Sequence, residues 1–67
     1  MSVVVLNGRE LDVGAGETVA ALLERLGLGG RYALVERNGE PVERAAYGET
    51  ELRSGDVLVV ARPVAGG

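Results

Sequence analysis

Cysteine, histidine, lysine, phenylalanine and tryptophan are all missing from these 67 residues, and two tyrosines are the only aromatic residues. Without thiol, imidazole or ε-amine, the usual side-chain nucleophiles and general bases are gone. Metal ligation would fall to carboxylates alone, and no acidic run has the spacing of a calcium loop. Lack of cysteine excludes a disulfide framework, as in a cytosolic protein. No basic stretch precedes a signal-peptide core, and no apolar run reaches membrane-spanning length. A formal net charge of −3 disfavours nucleic acid and anionic membranes as partners, because phosphate binding needs a basic surface. The expectation is a soluble, cytoplasmic chain with no bound cofactor or metal, and not itself an enzyme.

The residues present build one small domain. A chain of this size buries only about 60% of its unfolded surface, leaving little room for a deep pocket. Val3-Val4-Val5-Leu6 is a short apolar run, followed by Asn7-Gly8, whose turn needs positive φ at both positions. Arg9 to Val13 then alternates polar and apolar, so the first thirteen residues read as a hairpin. Thr18 is a suitable helix N-cap with Glu17 beside the positive end of the dipole. Val19, Leu22, Leu23 and Leu26 form one apolar stripe, and Gly27 fits a left-handed C-terminal cap with Leu28 making the hydrophobic contact.

Tyr32 to Arg37 reads as a third strand, Asn38-Gly39 as a second turn, and Pro41-Val42-Glu43 as a short edge strand. Residues 44–53 are irregular, with Tyr47 and Leu52 expected to plug the core. Ser54-Gly55-Asp56 turns the chain into a last strand from Val57 to Arg62, which Pro63 ends. The fold class is α+β, a mixed sheet of four to five strands in ββαββ order with one helix across it. The first and last strands are the most uniformly apolar, the pattern of strands covered on both faces and often parallel. They belong side by side at the sheet centre.

This division gives a domain over residues 1–62 and a tail over 63–67. The tail ends in Gly66-Gly67, where only a terminal carboxylate remains as a functional group. The structural alternative is a frayed end, since glycine is common in disordered termini. Residues 62–67 would span about 20 Å when extended, enough to enter a partner while the globule stays outside.

Leu6-Asn7-Gly8, Thr18 to Leu23 with Leu26-Gly27-Leu28, Val35 to Glu40, Leu52 to Val57 and Arg62 to Gly67 occur here in order. In these pieces the chain resembles the ubiquitin-like β-grasp sulfur carriers, and among them the ThiS type of thiamine biosynthesis. Tyr47 stands where that pattern usually has an aromatic, often Trp. The molybdopterin-synthase small subunits share the order and the Gly-Gly end, but are usually longer and commonly approach it through Pro-Pro.

The resemblance implies a β-grasp fold and chemistry at Gly67. A ThiF-like adenylyltransferase would use ATP and Mg to adenylate the Gly67 carboxylate. A persulfide sulfur donor would then supply sulfur to make a thiocarboxylate, which a ThiG-like thiazole synthase would consume. Gly66, Ala65, Val64, Pro63 and Arg62 would form the part of the tail lying in the partner's channel. Other readings stay open: a carrier for molybdopterin, tRNA thiolation or cysteine synthesis, a ubiquitin-like modifier, or a β-grasp interaction module with an incidental tail.

Overall fold

The computed structural model describes residues 2–29 and 33–62. Its elements in chain order are β1 (Ser2–Leu6), β2 (Arg9–Val13), α1 (Val19–Arg25), β3 (Leu34–Arg37), β4 (Glu40–Pro41) and β5 (Val57–Ala61), with a 3₁₀ turn at Arg44–Ala46. The five strands form one sheet in the order β2-β1-β5-β3-β4. Strands β1 and β5 are parallel, in register at Val5–Val57 and Leu6–Leu58, and the other pairs are antiparallel. The first and last strands therefore lie adjacent at the centre, as their composition suggests.

Both Asn-Gly pairs form the expected turns. Asn7 and Gly8 have φ of 49° and 84°, and Asn38 and Gly39 have φ of 53° and 85°. Positive φ at both positions matches the right-handed twist of the flanking strands. The Thr18 hydroxyl caps α1 by accepting from the Ala21 N–H at 3.1 Å. At the other end Gly27 takes φ 70°, and the Leu28 N–H reaches the Leu23 carbonyl at 2.8 Å. That bond, with Gly27 N–H on the Glu24 carbonyl, completes a Schellman cap.

The core lies between α1 and one face of the sheet. Val19, Leu22 and Leu23 of the helix meet Val4, Leu6, Val35 and Leu58 from the three central strands. Tyr47 and Leu52 close this core from the long connection, and the Tyr47 hydroxyl donates to the Ala33 carbonyl at 3.0 Å. A buried Tyr needs such a partner for its hydroxyl.

Three expectations need correction. Leu26 is 38% exposed, because the helix ends at Arg25 and Leu26 becomes its C-cap rather than the last member of the buried stripe. The edge strand is Glu40–Pro41 rather than Pro41 to Glu43, since the two-residue turn sets Glu40 opposite Arg37 and Pro41 opposite Glu36. Most consequentially, the central strands are covered on one face only. Val57 and Val59 are each 47% exposed and Leu34 is 57% exposed, while Val4 and Leu58 are buried. The single helix covers one side, so an unbroken apolar run here marks a sheet with an open apolar face. The third strand starts at Leu34, and Tyr32 lies outside the described residues.

Candidate functional site at the end of the central strand

The last strand delivers the chain out of the middle of the sheet. Ala61, its final residue, is paired with Leu34 of β3, and the exposed Arg62 follows it. Of the tail residues singled out from the sequence, only Arg62 is described. Pro63, Val64, Ala65, Gly66 and Gly67 lie outside the described residues.

Each end of β5 is held by an asparagine side chain, Asn7 near the exit and Asn38 at the start. β1 ends at Leu6, so beyond Leu58 the β1-facing side of β5 has no strand backbone beside it. Asn7 stands at that point. Its backbone N–H donates to the Leu58 carbonyl at 2.9 Å. Its side-chain Oδ1 accepts from the Val60 N–H at 2.9 Å, and Nδ2 donates to the Val60 carbonyl at 3.2 Å. At the start of β5, Asn38 acts similarly from the other flank. Its N–H donates to the Val57 carbonyl at 2.7 Å, and its Oδ1 accepts from the Val57 N–H at 2.9 Å.

Asp56 anchors the turn into β5. Its Oδ2 accepts from the Arg53 N–H at 2.8 Å and from Arg37 Nε at 3.0 Å, while Oδ1 accepts from Asn38 Nδ2 at 3.1 Å. Burial alone pushes this carboxyl up; the Arg53 N–H, the Asn38 amide and the Arg37 guanidinium outweigh it and hold Asp56 below its ordinary range. The sequence marks Asn7, Asn38 and Asp56 only as turn residues, and Arg37 only as part of the third strand. Their second role joins positions far apart in the chain, which local patterns do not encode.

Among the described residues no group of three or more His, Cys, Asp or Glu could hold a metal ion, and no helix is long and apolar enough to cross a membrane. The arrangement offers instead a rigidly pinned strand end and, beside it, the open apolar face of Leu34, Val57 and Val59.

The model of the ThiS family matches residues 3–67, essentially the whole chain. The chain belongs to the ThiS family. A crystal structure of the thiamine biosynthesis protein ThiS from Geobacter metallireducens superimposes with a TM-score of 0.77 at 32% identity, covering 97% of this chain and 99% of that one. This shows the β-grasp fold of ThiS. A thiazole synthase from Paramagnetospirillum magneticum is 40% identical over 63 residues, which cover 94% of this chain. The ThiS-family chain spans only 19% of that relative's length.

Proposed function

We propose that this chain is a sulfur carrier of thiamine biosynthesis whose Gly67 carboxylate is activated and converted to a thiocarboxylate. The observation that carries this reading is the ThiS family match, which runs through the Gly66-Gly67 end on a body of the same fold. A carboxylate resists attack because it is anionic and resonance-stabilised. A ThiF-like adenylyltransferase, using ATP with Mg, makes the acyl-adenylate and releases pyrophosphate. The terminal sulfur of a persulfide donor displaces AMP, and a thiol reductant cleaves the resulting S–S bond to leave the thiocarboxylate. A thiazole synthase takes the sulfur and returns the carboxylate; the thiazole synthase relative, which carries a region similar to this chain, supports that partner.

Each feature of the carrier has a physical purpose. Gly66 and Gly67 have no Cβ, so they enter a channel where a side chain would clash and take whatever φ it imposes. Ordering the arm opposes binding, so the body must dock as well. Neither lysine nor cysteine exists on this chain to capture its own activated terminus.

Intact-mass measurement after incubation with a ThiF-like enzyme, MgATP and a persulfide donor tests the reading. The expected product gains the mass difference of one oxygen replaced by sulfur, and alkylation of the new group localises it to Gly67. An unchanged mass under conditions that modify a known ThiS overturns it. Adducts of higher mass that survive reducing agent would instead indicate a protein modifier.

A further inference from the structure

A parallel strand neighbour would give Val60 of β5 an acceptor for its N–H and a donor for its carbonyl. The main chain at Asn7 has already turned into the hairpin, yet both bonds are made, by the two ends of one carboxamide. The Asn7 side chain thus replaces one step of the β1–β5 ladder. It does so two residues before Arg62, across 53 positions of sequence. We propose that Asn7 is a positioning residue for the activated terminus: its carboxamide fixes where the C-terminal segment leaves the sheet. The functional half of this proposal rests on the carrier reading above; the structural half does not.

The reasoning is geometric. β5 is held through Val59 and Ala61 by β3 on one side. On the other side, the last backbone bond from the β1 end goes to Leu58. Remove the carboxamide, and the main chain from Val60 to Arg62 is bonded to β3 alone, with the Val60 side chain against the core as its other hold. Any swing of that end shifts the starting point of the segment that carries Gly67, whereas on the carrier reading a carboxylate must meet the α-phosphate of ATP in one geometry. Reaction rates are sensitive to such displacements, since about 1 Å of misplacement can cost on the order of 100-fold.

Asn38 is a built-in control. At the far end of the same strand its Oδ1 accepts from the Val57 N–H, its backbone N–H bonds the Val57 carbonyl, and its Nδ2 donates to Asp56. Glycine keeps the positive φ of either turn and removes the carboxamide. Both Asn7→Gly and Asn38→Gly should therefore fold and lose stability, the second at least as much as the first.

The test compares these two full-length variants with the parent chain. Amide exchange and ¹⁵N relaxation are measured at Val57, Val60, Ala61 and Arg62, and activation kinetics with the adenylating enzyme and MgATP. Asn7→Gly should lose protection at Val60 and loosen Ala61 and Arg62, while Asn38→Gly loses protection at Val57 only. In activation, Asn7→Gly should lower kcat on the order of tenfold, short of the roughly 100-fold of a fixed 1 Å error, with KM little changed. Asn38→Gly should leave both constants near the parent values. Unchanged exchange and relaxation at Val60 to Arg62 in Asn7→Gly overturns the proposal, as does an equal kcat loss in both variants. If the parent chain is not adenylated at all, the carrier reading falls, and the exchange and relaxation data alone decide whether Asn7 pins the exit.

Discussion

Asp56 is the buried charged residue among those described, at 5% exposure, and its partners decide how the chain responds to acid. Its carboxyl is held below its ordinary value of 3.8, so the folded state binds that proton less readily than the unfolded chain. The stabilisation is therefore complete above the unfolded pKa and is lost as pH falls through the lower folded value. Glu17 acts in the same direction, because Arg25 at 2.8 Å and the Gly14 N–H both favour its ionised form. The unfolding midpoint in denaturant should hold steady near neutrality and drop below about pH 4. Asp56→Asn should lose about 2 kcal/mol at pH 7, through weakened bonds to Arg37 and the Arg53 N–H. It should also flatten the acid limb, leaving the shallower share due to Glu17. An Asp56→Asn profile parallel to that of the parent chain would mean that Asp56 does not carry the acid response. Asn7 and Asn38 show the same economy at this scale, one residue serving both a left-handed turn and a missing ladder bond.

At the scale of elements, α1 is short, seven residues from Val19 to Arg25, and stands on its two caps and its packing. Isolated helices of this length are marginal, so loss of a cap is felt directly. Thr18→Ala removes the acceptor for the Ala21 N–H and should cost about 1 kcal/mol. Gly27→Ala meets no atom within 4 Å, so its cost comes from the φ of 70° alone, about 1–2 kcal/mol. In a domain this small each kilocalorie lowers Tm by about 4–8 °C, which calorimetry resolves. A Gly27→Ala variant as stable as its parent would show that the cap relaxes to another geometry.

These caps and the two hairpin turns were legible because each is written in adjacent residues, and the central pairing of β1 with β5 because both are apolar runs. Thr18, Gly27, Asn7-Gly8 and Asn38-Gly39 announce local backbone states that hardly depend on the rest of the fold. The exposed side of Val57 and Val59 was not legible. A continuous apolar run says that both faces could be covered, and only the number of helices says whether they are. The Asn7–Val60 clamp was equally hidden, because a carboxamide reaching across the sheet leaves no periodic trace. Of the candidate site, the tail stands as an expectation from composition, and the structure adds the anchoring of the strand that leads to it.

For the whole molecule, the carrier reading divides the labour between a body that is held and an end that is delivered. Among the described residues, Leu58 is the last buried hydrophobic residue of the core. Substitution of Gly67 should therefore separate stability from function cleanly. On the carrier reading Gly67 is not part of the body, so Gly67→Ala is expected to leave Tm within about 2–4 °C of the parent chain, since a surface change is worth within about 0.5 kcal/mol. Its adenylation should fall on the order of 100-fold, since a methyl group on the residue bearing the carboxylate displaces the reacting carbon by about 1 Å in a narrow channel. The loss should appear in kcat more than in KM, because the body, which supplies docking energy, is unaltered. Paired calorimetry and single-turnover adenylation on the same preparation measure both halves. Parent-like turnover of Gly67→Ala would show that the channel has room for a side chain, and the need for a bare terminus would then have to come from the later sulfur-transfer step.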